Sequence, residues 1–210
     1  MRSYRQRCGL AQALDVVGDR WMLLIVRELL IRGPSRYTDL KNGLPGIATN
    51  QLAERLRELE AAVVIAREEA PPPVATTLFQ LTQWGRELEP AILLLGQWAA
   101  PLLADTPKDH AFMAHWMVLP LKLRLVDRAP AKRPVSVELR TEEQRITVEV
   151  ASGAINVYLG AARNPDATVK GDAWKVFAFM CGKVGVTAAD VQISGDASVV
   201  HRLIPVSAAA

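Results

Sequence analysis

The strongest constraint on the fold is an amphipathic stretch at residues 48–60 that follows a turn containing glycine and proline. Its apolar positions recur at helical spacing and are Leu52, Leu56 and Leu59. Residues 37–42 can form one or two helical turns that end at Gly43, and Leu44-Pro45-Gly46 then connects them to the amphipathic stretch. Two short helices joined by a tight turn are typical of a helix-turn-helix unit.

Two strand-like runs follow these helices, at residues 63–68 and 77–81. They flank a loop that contains Pro71-Pro72-Pro73. A strand pair after a helix-turn-helix unit predicts a winged helix, and the combination is far more specific than either part.

The composition predicts an ordinary globular chain. Its 210 residues are half hydrophobic, so it can bury one large core or two small ones. The formal charge of +3 is spread evenly, with 12 Lys/Arg and 11 Asp/Glu in residues 1–104, and therefore gives no nucleic-acid signal. Cys8 and Cys181 lie far apart, and no signal-peptide pattern precedes them, which predicts free thiols in the cytoplasm. The most apolar run, 91–104, is shorter than the ~20 residues that span a bilayer, so we expect no membrane partner.

A series of motifs runs through the first half of the chain. It comprises Cys8, Asp15-Val16-Val17-Gly18-Asp19-Arg20-Trp21, Leu29-Leu30, Tyr37-Thr38-Asp39-Leu40, Leu44-Pro45-Gly46-Ile47, Leu52, Arg55-Leu56, Leu59-Glu60 and Leu81-Thr82-Gln83-Trp84-Gly85-Arg86. In this order and spacing the motifs resemble the HxlR-type winged helix transcriptional regulators. The resemblance implies a winged helix DNA-binding and dimerisation domain at residues 1–104. Three features depart from the usual pattern: Ala48 replaces a Ser, Asn50 replaces a Lys or Arg, and the wing tip at 73–77 has no basic residue.

The second helix of the unit carries the candidate base contacts. Because the amino-terminal residues of such a helix reach base edges in the major groove of double-stranded DNA, we predict contacts from Thr49, Asn50, Gln51, Glu54 and Arg57. The predicted phosphate contacts are Arg36, Arg55 and Arg67. Each residue taken alone is more typical of a solvated surface than of a DNA contact, and only the shared placement on this module favours DNA.

Three further helices are predicted in this half, at residues 10–17, 20–30 and 83–100. The last is apolar on several sides, and Pro90 predicts a kink in it. The resemblance implies that it packs with the amino-terminal helix of a second subunit, in a homodimer whose recognition helices lie about 34 Å apart. The alternative is a helix buried within its own monomer.

Beyond a polar hinge at 105–109 the pattern predicts a small second domain at residues 110–210, so that the whole chain is α+β. Residues 110–126 predict a helix with a bend at Pro120. The predicted strands are 135–139, 145–150 and 154–159. Two similar segments, Val169-Lys170-Gly171-Asp172-Ala173 and Ile193-Ser194-Gly195-Asp196-Ala197, each predict a strand, a glycine turn, an aspartate cap and a helix.

The second domain suggests a ligand. Residues 164–172 and 191–204 resemble sterol carrier protein domains, which are open α/β sheets that enclose lipid-sized tunnels. The resemblance implies a pocket for a small apolar or aromatic effector. The predicted lining is Phe112, Trp116, Met117, Leu121, Trp174, Phe177, Ala178 and Cys181. The alternative is that these side chains form the ordinary core of a small domain.

Catalytic chemistry is not predicted. His110 and His115 are five residues apart, a spacing that does not place both on one helical face, and no Cys or His pair has metal-site spacing. We therefore expect no enzyme, no metal and no cofactor.

Cys8 adjoins Arg7 at the start of a helix, which favours a reactive thiolate. The resemblance adds that some HxlR-type proteins sense electrophiles or oxidants through a cysteine here, whereas the alternative is a small packing residue.

Together these patterns predict a cytoplasmic, homodimeric transcriptional repressor whose affinity for its operator is controlled by an apolar ligand in the second domain. One alternative is a small-molecule carrier whose winged helix serves dimerisation. Another is a thiol-redox regulator that acts through Cys8.

Overall fold

The computed structural model describes residues 3–71, 76–107 and 109–205. The chain forms two compact units, Met1–Ala99 and Ala100–Ala210. The division lies a few residues before the predicted hinge. The predicted wing tip lies largely outside the described residues, because the structure does not describe residues 72–75.

The first unit combines short helices with a small sheet. Its helices are α1 (Gly9–Val17), α2 (Met22–Arg32), α3 (Tyr37–Gly43), α4 (Thr49–Ala61), α5 (Gln83–Arg86) and α6 (Glu89–Ala99). Its strands are β1 (Ser35–Arg36), β2 (Ile65–Glu69) and β3 (Thr77–Leu81), in the antiparallel order β1-β3-β2.

The predicted helix-turn-helix and wing strands are confirmed. Leu52, Leu56 and Leu59 of α4 are fully buried and pack in one core with Leu40 of α3 and Ile25 of α2. Burial of each leucine contributes roughly 1.5–3 kcal/mol. The spacing of these leucines therefore fixes which face of α4 is turned away from the protein.

The prediction of a single helix at 83–100 is wrong in one respect. Residues 87 and 88 form a turn that separates α5 from α6, and Pro90 is the second residue of α6. Because the first turn of a helix has backbone N–H groups without intrahelical acceptors, proline is tolerated there and does not kink the helix. β1 was not predicted, and it pairs with Leu78 and Phe79 of β3.

The second unit is built on a five-stranded sheet. Two 3-10 helices, Ala100–Asp105 and Ala114–Met117, precede α7 (Val118–Arg124). The elements that follow are β4 (Val135–Arg140), β5 (Arg145–Ala151), β6 (Ala154–Leu159), β7 (Ala167–Lys170), α8 (Ala173–Met180), α9 (Val186–Ala189), β8 (Gln192–Gly195) and α10 (Ala197–Leu203). The strand order is β6-β5-β4-β7-β8, in which β4 and β7 are parallel and the other neighbours are antiparallel.

The two predicted strand, turn and helix segments are confirmed. The carboxylate of Asp172 accepts hydrogen bonds from the backbone N–H groups of Trp174 and Lys175 at 3.0 and 3.1 Å, and so caps α8. Asp196 caps α10 in the same way, with a 2.9 Å bond from the backbone of Ser198. Gly195, the last residue of β8, precedes this cap and has a φ of +81°. A side chain there is strained, which explains the glycine.

The helix predicted at 110–126 is shorter than expected. Residues 111–113 belong to neither a helix nor a strand, and the regular structure starts with the 3-10 helix at Ala114. Pro120 lies in the first turn of α7, so no bend is required. Among the described residues, no helix is both long and apolar enough to cross a membrane.

Candidate nucleic-acid interface

The outward face of α4 displays all five predicted base contacts. Thr49, Asn50, Gln51, Glu54 and Arg57 are exposed, and the leucines on the opposite face are buried. The first three lie at the amino-terminal end of the helix. An exposed helical end with amide and guanidinium groups presents donors and acceptors that match those on base edges in the major groove.

Two side chains of α3 hold the start of α4. The hydroxyl of Tyr37 donates a 2.7 Å hydrogen bond to the carbonyl oxygen of Thr49. The ammonium of Lys41 donates to the carbonyl oxygen of Ile47 in the turn between the helices. These bonds tie the first helix of the unit to the beginning of the second, and they orient the end that carries Asn50.

The amino-terminal cap of α4 is weak. Ala48 occupies the N-cap position in the extended conformation that Ser or Thr would use, and it provides no side-chain hydrogen bond. In its place, the side-chain oxygen of Gln51 accepts a long 3.4 Å bond from the backbone N–H of Ala48. The departure at residue 48 thus leaves the first turn of α4 less stabilised than a serine would.

Arg55 lies within a cluster of carboxylates. Its guanidinium forms ion pairs with Asp19 at 2.7 Å, with Glu54 at 3.5 Å and with Glu58, and only 18% of its side chain is exposed. Asp19 belongs to the connection between α1 and α2, so the ion pair links α4 to that connection. The cluster neutralises the positive charge of Arg55.

The other two predicted phosphate contacts are exposed. Arg36 is the N-cap residue of α3, and its backbone N–H donates to Asp39 at 3.1 Å. Arg67 lies on β2, pairs with Glu60 at 2.9 Å and stacks over the ring of Phe79 at 5.5 Å. Both guanidinium groups lie at the surface of the unit that presents α4.

A buried carboxylate behind the helix-turn-helix unit was not predicted. Glu28 of α2 is completely buried and pairs with Arg27 at 2.8 Å and Arg32 at 3.1 Å. Burial lowers the pKa of Arg27, although the nearby Glu28 counteracts the shift. Because the charge pattern of an isolated helix does not show which carboxylate is enclosed, the sequence gives no signal for this group.

The predicted ligand residues of the second unit divide into two groups. Phe112, Trp116, Trp174 and Phe177 bring their rings into contact. Met117 and Leu121 are fully buried, and Ala178 and Cys181 are nearly so. Burial raises the pKa of the Cys181 thiol to about 11, which keeps it protonated and unreactive at neutral pH.

Cys8 is exposed at the N-cap position of α1. Within the described part of the chain, no three His, Cys, Asp or Glu side chains are placed to hold a metal ion. The exposed apolar residues of the first unit include Leu94, Leu95 and Trp98 of α6, and 77% of Trp98 is accessible. Ile92 of α6 is partly buried against the core of the unit, and no residue of this helix is fully buried.

Comparison with known proteins places residues 16–106 within the model of the family described as HxlR-like helix-turn-helix. The uncharacterized HTH-type transcriptional regulator YvaP of Bacillus subtilis is 34% identical over 88 residues, which cover 42% of this chain and 81% of YvaP. The HTH-type transcriptional regulator YodB of the same organism is 32% identical over 87 residues, which cover 41% of this chain and 77% of YodB. A solved structure of the redox regulator HypR in its oxidized form is 32% identical, with a TM-score of 0.40, and the match covers 45% of this chain and 96% of HypR.

Proposed function

Because this chain belongs to the family of HxlR-like helix-turn-helix transcriptional regulators, we propose that α4 reads a specific operator and that a small ligand in the second unit alters the affinity for that operator. The exposed row of Thr49, Asn50 and Gln51 at the start of α4 carries the first part of the proposal. Amide side chains can pair with adenine through two hydrogen bonds.

The charges around α4 suggest separate roles for its arginines. Arg36 and Arg67 contact phosphates and set the position of the unit on the duplex, because both are exposed. Arg57 is exposed on α4 itself and contacts a base edge or the adjacent backbone. Arg55 lies among three carboxylates, so its contribution to phosphate binding is the smallest of the four.

The operator is bound by a homodimer. The exposed apolar side of α6 supports a second copy as its partner, since Ile92 packs against the core of the unit whereas Leu94, Leu95 and Trp98 remain exposed. Two-fold pairing would set the recognition helices about one DNA turn, ~34 Å, apart.

The second unit is a sterol-carrier-like effector domain that binds an apolar or aromatic molecule. Its open sheet with mixed strand directions and its cluster of four aromatic rings support this assignment. The protein represses, because a dimer that occupies a promoter excludes other proteins from it. The ligand then relieves repression by favouring a state with lower operator affinity.

The test compares Asn50→Ala with Asn156→Ala, which removes an exposed asparagine from the second unit. Binding to DNA from upstream of the gene is measured by fluorescence anisotropy. Loss of a paired amide costs about 1–3 kcal/mol of discrimination, so Asn50→Ala weakens specific binding at least about fivefold and Asn156→Ala has no effect. Equal binding by both variants would remove Asn50 from the interface, and failure of the unaltered protein to bind DNA would favour a ligand carrier.

A second candidate function is thiol sensing, and the exposure of Cys8 favours it. In that case an electrophile that alkylates the Cys8 sulfur weakens operator binding, and Cys8→Ser abolishes the response while leaving basal binding unchanged. An unaltered response in Cys8→Ser excludes this candidate.

A further inference from the structure

The ring of Phe112 contacts three other aromatic rings in the second unit. Its centroid lies 5.1 Å from that of Trp174 and 6.4 Å from that of Trp116, both in edge-to-face geometry. It lies 5.7 Å from Phe177 at a tilt of 33°. All three distances are within the range of favourable aromatic contacts.

The three partners of Phe112 are held by regular structure. Trp174 and Phe177 lie one turn apart on α8, with centroids 5.7 Å apart, and Asp172 caps that helix. Trp116 lies on the 3-10 helix Ala114–Met117. These elements hold three aromatic walls around the ring of Phe112.

Phe112 itself is held differently. It lies within residues 111–113, which belong to no helix or strand, and its side chain is only partly buried. The carbonyl oxygen of Met113 accepts a 2.9 Å hydrogen bond from the backbone N–H of Trp116, so this segment is anchored to the 3-10 helix and the ring of Phe112 is withdrawn by rotation of its side chain. Trp174 at the same place is 39% exposed, so the cluster opens to solvent at this wall.

We propose that the ring of Phe112 occupies the ligand position of the second unit, and that the ligand is a neutral planar aromatic molecule of one or two rings that displaces it. The proposal rests on the proposed function only in assigning a ligand to this unit. The three aromatic walls select a flat ring with a polarised edge. A neutral ligand is favoured because Lys175, next to Trp174, is paired with Asp190 at 2.8 Å.

Displacement makes Phe112 an internal competitor. A ligand binds only to the fraction of molecules in which the ring has left, so its apparent affinity falls by that fraction. Removal of the ring raises the affinity without adding a contact. A side chain that merely completes a core has the opposite effect, since its loss leaves the site disordered.

The test is binding of N-phenyl-1-naphthylamine, a neutral aromatic probe, to the full chain, followed by probe fluorescence. Phe112→Ala is compared with Leu123→Ala, which shortens an exposed side chain of α7 in the same unit. We expect Phe112→Ala to lower the dissociation constant on the order of tenfold. Leu123→Ala binds like the unaltered protein, and the double variant Phe112→Ala/Trp174→Ala loses the gain.

Circular dichroism checks that each variant is folded. Phe112→Leu keeps apolar bulk without a ring, and it decides the result if Phe112→Ala does not fold. Tighter binding by Phe112→Leu supports the proposal. No gain in affinity by any folded variant at residue 112 overturns it.

The same variants separate this inference from the control of DNA binding. If the probe binds more tightly to Phe112→Ala but leaves operator binding unchanged, the site is correct and ligand control is wrong. If residue 112 has no effect while an aromatic ligand still weakens operator binding by the unaltered protein, ligand control stands and the site lies elsewhere.

Discussion

The hydroxyl of Tyr37 lies 2.7 Å from the carbonyl oxygen of Thr49 and joins the first residue of α3 to the first residue of α4. The bond fixes the end of α4 that presents Asn50 and Gln51. This bond therefore links the position of α3 to that of the proposed DNA-reading end of α4.

Tyr37→Phe removes this bond and keeps the ring. We expect a loss of about 0.5–1.5 kcal/mol in the free energy of unfolding, as for a typical hydrogen bond, and operator binding that is weakened a few-fold. Tyr158→Phe is the matched control, because it removes a hydroxyl bonded to Glu149 at 2.6 Å in the second unit. Urea unfolding and anisotropy titration measure both quantities. Equal DNA binding by the two variants would show that the Tyr37 bond does not position α4.

Gly43→Ala tests the buried carboxylate. A Cβ at residue 43 would lie 2.2 Å from Oε2 of Glu28, which is enclosed and paired with two arginines. Since this carboxylate has little room to move, we expect a destabilisation of about 1–3 kcal/mol, as for other overpacked sites. Gly9→Ala is the control, because a Cβ at residue 9 would have no neighbouring atom within 4 Å. A stable Gly43→Ala protein would mean that Glu28 moves easily.

Ala48→Ser should restore the missing cap of α4. Residue 48 already has the backbone conformation of a capping serine, and we expect a gain of about 0.5–2 kcal/mol in the free energy of unfolding. Ala61→Ser places the same hydroxyl at the last residue of the helix, where it cannot cap the first turn. The urea midpoint is measured for both variants. A gain of the same size at residue 61 would exclude capping as the cause.

The two thiols should differ in reactivity. Cys8 is exposed, whereas burial raises the pKa of Cys181 from 9.0 to about 11. At pH 8 the folded protein should therefore release one equivalent of thionitrobenzoate rapidly from a disulfide reagent, and Cys8→Ser should release almost none. The folded protein holds the Cys181 proton more tightly than the unfolded chain does, because burial raises the thiol pKa. The stability of the second unit should therefore decline as the pH rises from 9 to about 11. Rapid reaction of Cys181 in folded Cys8→Ser would contradict both expectations.

The paired aspartate of the second unit should govern its acid stability. Asp127 accepts two hydrogen bonds from Arg202, at 2.6 and 2.8 Å, and these bonds lower its pKa. Because the carboxylate pKa is lower in the folded protein than in the unfolded chain, the ion pair stabilises the fold at pH values above the pKa of the unfolded chain. This stabilisation is lost as the pH falls through the pKa of the folded protein. We expect thermal unfolding of Asp127→Asn to be less sensitive to pH below about 4 than that of the unaltered protein. Identical pH profiles would exclude this pair as a source of acid sensitivity.

Local sequence patterns predicted the helix-turn-helix unit and both aspartate-capped helices. Leucine spacing, turn glycines and capping residues determine structure within a few residues of themselves, so their effect can be read from a short segment. The pair of Arg55 with Asp19 joins residues 36 positions apart, and the contact between Glu28 and Gly43 depends on how α2 packs against α3. Such contacts exist only after the chain has folded. The break at residues 87–88 was missed because hydrophobic spacing continues across it, whereas Pro90 is compatible with either a kink or a helix start.

The same limit applies to the aromatic cluster. The apolar faces of two predicted helices placed Phe112, Trp116, Trp174 and Phe177 in one pocket lining, and their rings do meet. It did not show that Phe112 is carried by an irregular segment, since the apolar spacing of residues 110–126 is also compatible with a continuous helix. This difference in local structure is the reason why we assign Trp116, Trp174 and Phe177 to the walls of the proposed site and Phe112 to the ligand position.

Whether α4 reads an operator is tested most directly by a salt titration of binding to DNA from upstream of the gene, against a scrambled duplex of the same composition. If α4 reads an operator, we expect affinity that falls as salt rises, because exposed arginines displace counterions from phosphates, and a preference for the upstream DNA of at least about a thousandfold. Equal affinity for the two duplexes, or binding that is absent at low salt, would contradict the assignment of α4 as the element that reads the operator.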